Sequence, residues 1–81
     1  MQSPQGKAQA ALAQMEDAVL QLLGKHPEGL TNAEVARSLG IETGEPGEHR
    51  NMLSWSIVGR LINSGRVERI WRGRQRLIRL R

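Results

Sequence analysis

Apolar residues recur at helical spacing in the first third of the chain. Leu12, Met15, Val19, Leu22 and Leu23 form one stripe, which predicts an amphipathic helix from about Ala8 to Lys25. Alanines at 8, 10, 11, 13 and 18 favour it intrinsically, and Gly24, Pro27 and Gly29 close it off. Residues 1–7 are polar, hold Pro4 and Gly6, and are expected to be disordered. Glu28-Gly-Leu30 reads as a short extended linker. Thr31-Asn-Ala-Glu34 is a capping box, with Leu30 placed to staple onto Val35. It opens a brief helix from Asn32 to Leu39, with Val35, Ala36 and Leu39 inward, and Gly40 suits its left-handed end.

Ile41 to Gly47 carries two glycines and a proline and reads as a loop. A third helix is expected from about Glu48 to Ser64, ended by Gly65. On its wheel Leu53, Ile57, Val58, Leu61 and Ile62 share one broad side. Met52, Trp55, Ser56, Gly59 and Asn63 fall on the other, with Arg60 at the margin. Arg66 to Trp71 has the β-branched content of a strand, Arg72-Gly73-Arg74 reads as a turn, and Gln75 to Leu80 as the return strand. The fold class is α+β: three helices and then a two-stranded hairpin, in one domain spanning residues 8–81.

Composition narrows what this fold can hold. In 81 residues there is no Phe, Tyr or Cys and only two Trp, so the core must come from aliphatic side chains. No disulfide or thiolate metal site is possible. The two histidines, His26 and His49, would need carboxylates to complete a zinc set. Ser54 and Ser56 lie outside any Gly-x-Ser-x-Gly elbow, and the chain has no glycine-rich phosphate loop. The sequence therefore reads as non-enzymatic, with no cofactor. No apolar run approaches the roughly 20 residues that cross a bilayer, and the N-terminus lacks the apolar stretch of a signal peptide. A cytoplasmic location is expected, with the nucleoid as its place in a bacterial cell.

Charge is unevenly spread. Residues 1–59 hold four cations against seven acids, whereas residues 60–81 hold eight arginines against Glu68, and the whole chain is +4. Such a dipolar chain presents its basic end to a polyanion. The plain alternative is a solvated edge that keeps a small sheet from aggregating.

The segment Leu30-Thr-Asn-Ala-Glu-Val-Ala-Arg-Ser-Leu-Gly40 resembles the first part of a helix-turn-helix. Ile57-Val-Gly-Arg-Leu-Ile-Asn-Ser-Gly-Arg-Val-Glu-Arg69 resembles the end of a recognition helix running into a wing. Together they resemble a winged helix-turn-helix DNA-binding domain over about residues 12–81. The connection from Leu39 to Glu48 is about twice the usual length and carries Glu42, Glu45 and Glu48.

The resemblance implies double-stranded DNA as partner, with the third helix in the major groove and the wing on the backbone or minor groove. It places His49, Arg50, Asn51, Met52, Trp55, Ser56 and Arg60 toward the groove, and Arg72, Arg74 and Arg76 on the wing. Asn51 would pair with adenine, Arg60 with guanine or phosphate, and Met52 with a thymine methyl. Ser56, His49 and Arg50 would contact phosphates.

Several of these residues have a plain structural use as well. The plain alternatives are that Trp55 completes a core without Phe or Tyr, that Asn51 only starts the helix and that Met52 fills a gap. Trp71 is expected against the first helix, and Arg66, Arg69, Arg79 and Arg81 are expected to solvate the sheet edges. A transcription-regulator-like role, or a DNA-binding module of a larger system, follows from the resemblance. The alternative is a protein-interaction module that uses the exposed face of the third helix. A monomer is expected in preference to a homodimer, since no dimerisation helix follows the wing.

Overall fold

The computed structural model describes residues 3–44 and 51–81. Three helices, α1 (Pro4–Gly24), α2 (Asn32–Leu39) and α3 (Met52–Asn63), precede an antiparallel hairpin of β1 (Val67–Arg72) and β2 (Gln75–Leu80).

Helix α1 starts earlier than the apolar stripe implies. Ser3 caps it, accepting the Gly6 N–H at 3.0 Å, and Pro4 fits the first turn, where an N–H has no helical partner anyway. Residues 4–7, expected to be disordered, are helical for that reason. The buried residues of α1, Val19 and Leu23, lie in its second half, and Leu12, Met15, Leu20 and Leu22 pack against the same core.

The capping box of α2 forms in full. Glu34 N–H donates to Thr31 Oγ1 at 3.1 Å, and Thr31 N–H donates back to Glu34 Oε1 at 2.9 Å. Gly40 ends the helix at φ 70°.

Helix α3 does not run from Glu48. Asn51 takes a left-handed φ of 60°, which breaks the helical backbone and makes Met52 the first helical residue. Its buried stripe is Ser54, Ile57, Val58 and Leu61, a regular i, i+3, i+4, i+7 set headed by a serine. Leu53, expected inward, is 41% exposed because this stripe begins one residue later.

The hairpin pairs Val67 with Leu80, Arg69 with Ile78, Trp71 with Arg76 and Arg72 with Gln75. Its loop is the dipeptide Gly73-Arg74, with positive φ only at Gly73, the pattern of a type II′ turn. Strand alternation puts Val67, Arg69, Trp71, Arg76, Ile78 and Leu80 on one face. Val67 and Ile78 anchor that face in the helical core.

A hairpin alone is marginal in water, and here it gains a third edge. Leu30 N–H donates to Ile78 O at 2.9 Å, and Ile78 N–H donates to Leu30 O at 2.7 Å. The chain before α2 is thereby stitched to β2. Gly29 makes this approach possible. It sits at φ 93°, and a side chain there would lie 3.0 Å from Ile78 O and 3.2 Å from Leu77 Cβ.

Two outcomes follow for stability. Gly29→Ala combines left-handed strain with a backbone clash and should cost about 2–3 kcal/mol in urea unfolding. The Glu34 carboxyl is held below its ordinary value of 4.5, chiefly by the Thr31 backbone N–H and against the opposing effect of desolvation. A lowered folded pKa gives stability that is present above the ordinary value and lost as pH falls through the lowered one. The gap in melting temperature between the native chain and Glu34→Gln should accordingly close on acidification below about 4.5.

Candidate nucleic-acid interface

Helix α3 and the hairpin share one continuous surface. Outward from α3 point Met52, Trp55 and Ser56, all exposed, with Gly59 half-buried among them. The hairpin face turned to α3 brings Arg69 and Arg76 over the Trp55 ring, with Cζ atoms 5.8 and 5.9 Å from its centroid. Arg76 also lies 5.4 Å from the centroid of Trp71, its cross-strand partner. Two indoles and two guanidiniums thus form one cluster across the junction of helix and hairpin, each contact worth about 0.5–1 kcal/mol at such exposure. Arg72 and Arg74 flank Gly73 at the tip and are exposed.

Trp55 therefore serves neither as plain core nor as a free side chain: it is 37% exposed and is the seat for two arginines. Trp71 does not pack on α1. It is 68% exposed, because its register position beside the loop lies beyond Val67 and Ile78, where the hairpin leaves the core. Arg69, expected as an edge solvator, belongs to the cluster. Its signal in the sequence is parity, two residues before Trp71 and so on the same strand face.

Other expected groove residues are committed elsewhere. Asn51 is buried. Its backbone N–H donates to Thr43 O at 2.8 Å, and its Oδ1 accepts the Thr43 N–H at 3.2 Å. These two bonds tie residue 51 to residue 43 and occupy the amide oxygen that pairing with adenine would need. Asn32 completes the anchor: its Nδ2 donates to Asn51 O at 3.3 Å, and its Oδ1 accepts from Ser54 Oγ at 2.8 Å. The sequence hint for this bridge is a small polar residue on the inward stripe of α3. Arg60 donates from Nε to Glu16 Oε1 at 2.9 Å and fastens α3 to α1. Ser56 spends its hydroxyl proton on Met52 O at 2.9 Å. His49 and Arg50 lie outside the described residues.

The electrostatics favour an anion at this surface. Arg79 pairs with an acid, 3.5 Å from Glu68, its cross-strand partner on the opposite face. The Glu28 carboxyl is held below its ordinary value by a backbone hydrogen bond first, with desolvation opposing and with smaller pulls from His26 and then Arg72. Among the described residues Arg69, Arg72, Arg74 and Arg76 form no ion pair, and they make a strip that runs from the face toward α3, at Arg69 and Arg76, round the tip to the other face at Arg72.

No family model, curated protein or solved structure matches this chain. Among the described residues no cluster of His, Asp and Glu is arranged to hold a metal ion, and no helix is long and apolar enough to cross a membrane. An apolar recess lined by Ala11, Met15, Ala18, Leu39 and Ile41 shares no residue with the arginine strip.

The role given to Asn51 is testable by stability. Asn51→Ala loses both the tolerance for left-handed backbone and the bond to Thr43, and should cost about 2 kcal/mol in denaturant unfolding. Asn51→Gly keeps the backbone freedom alone and should fall between the two.

Proposed function

We propose that this chain is a winged-helix DNA-binding domain that grips duplex DNA mainly through its phosphates. The order of helix, bridging strand, helix, helix and hairpin supports the winged-helix reading. The observation that carries the function is the joining of α3 to the hairpin by Trp55, Arg69 and Arg76, with Arg72 and Arg74 at the tip. In this arrangement α3 enters the major groove and the wing lies along the adjacent backbone or minor groove. Arg69, Arg72, Arg74 and Arg76 neutralise phosphates, and arginine suits that task through its planar fork.

The same geometry argues for weak sequence discrimination. Bidentate base reading needs Arg, Asn or Gln at the groove. Among the described residues, Asn51 and Arg60 are spent on the fold, which leaves Met52, Trp55 and Ser56. Their contribution is apolar contact with thymine methyls and fit to groove shape. The domain therefore acts as a holding module, in a regulator or a larger DNA-handling system, more than as a stringent reader.

A second reading has its own support. Met52 is 55% exposed one turn before Trp55 on the same side of α3, an apolar pair suited to a protein partner. Salt separates the two readings.

Duplex affinity should fall with salt at a log–log slope of about −4 if roughly four phosphates are neutralised. Replacing Arg72 and Arg74 together by Ala should weaken binding to all sequences alike and bring the slope to about −2. Arg60→Ala should leave the slope unchanged. Failure to bind duplex at low salt would favour the protein partner, and an unchanged slope in the double variant would remove the wing from the interface.

A further inference from the structure

The wing carries an indole that the core does not use. Trp71 is the most exposed large apolar side chain among the described residues, in a chain with only one other aromatic ring. It lies next to Arg72 and two residues before the loop begins, with Arg76 opposite it across the hairpin at 5.4 Å. An exposed indole with one guanidinium over its ring and others at the nearby tip has the chemistry of a nucleobase platform: the ring stacks on a base and the guanidiniums hold neighbouring phosphates.

We propose that Trp71 stacks on an unpaired nucleobase, so that this surface prefers duplex DNA ending in a single-stranded overhang. The proposal rests on the duplex-binding reading and adds the kind of DNA to it. Inside an intact duplex both faces of each base are covered by its neighbours. Prying open a stacked step costs at least what one indole returns, so insertion as a wedge gains nothing from this residue alone. A base already out of the stack asks no such cost. Arg76 holds the ring ready, since it is fixed between Trp71 and Trp55. The arginines of the tip then meet overhang phosphates, while α3 keeps the adjoining duplex.

The test uses three ligands on the full chain: a blunt duplex, the same duplex with a three-nucleotide overhang, and that overhang built from abasic sites. The abasic form keeps the phosphates and removes the π faces. The overhang with bases should bind about five- to 150-fold more tightly than the abasic one. Trp71→Ala should abolish that ratio, and Trp71→Phe should keep most of it. The indole Nε1–H resonance missing from Trp71→Ala should shift with the base-containing overhang and not with the abasic one. Matching melting curves for native and variant chains confirm that each is folded.

Equal affinity for the two overhangs, or a preference that survives Trp71→Ala, overturns the proposal. Salt-dependent binding to the blunt duplex with no preference among overhangs overturns it while the duplex reading stands. Absence of binding to all three overturns both.

Discussion

The reciprocal pair of hydrogen bonds between Leu30 and Ile78 sets the position of everything that faces outward. A two-stranded hairpin of this length has too little apolar surface to hold itself. Here it is pinned from both sides: Val67 and Ile78 reach into the helical core, and Leu30 pairs with β2 along its free edge. Gly29 permits the pairing by bringing bare backbone against Leu77 and Ile78. With the base of the hairpin fixed in this way, the part beyond Val67 projects past the core at a set angle to α3. That projection places Arg69 and Arg76 over Trp55. A shift of β2 by one residue would turn Arg76 to the far face and Leu77 into the junction.

Much of this was legible in the sequence. The capping box at Thr31, the glycine end of α2, the hairpin and its Arg-Gly-Arg tip all follow from local chemistry, and the structure has them. What was not legible depends on partners distant along the chain. Asn51 and Arg60 look like groove residues because they are polar and flank the outward side of α3. Asn51 is drawn inward by Thr43, eight residues back, and Arg60 by Glu16, in another helix. Ser54 replaces Leu53 on the inward stripe because Asn32 offers it a hydrogen bond. An apolarity wheel cannot register that a buried serine with a partner costs less than its polarity implies.

The charge asymmetry sharpens in the same way. Eight arginines in the last 22 residues make the basic end conspicuous. The fold then divides them: Arg60 is committed to α1, and Arg79 faces Glu68. Arg69, Arg72, Arg74 and Arg76 stay grouped at the helix–hairpin junction and the tip, with no ion pair to an acid among the described residues. In the proposed DNA-binding role, the salt dependence would be governed by these four and not by the net charge of the chain.

The choice of arginine at the junction has a reason beyond charge. A lysine ammonium over an indole must shed water to gain the π contact, and it then competes with itself when a phosphate arrives. A guanidinium can lie over the ring with its plane while its edge N–H groups still donate outward. Arg76 occupies such a position between two indoles and can meet an anion without giving up either ring. In the proposed complex the wing would therefore not have to loosen from α3 in order to bind. The contacts that fix the hairpin's angle in the free chain would persist in the bound one, and little of the binding free energy would go to ordering the surface.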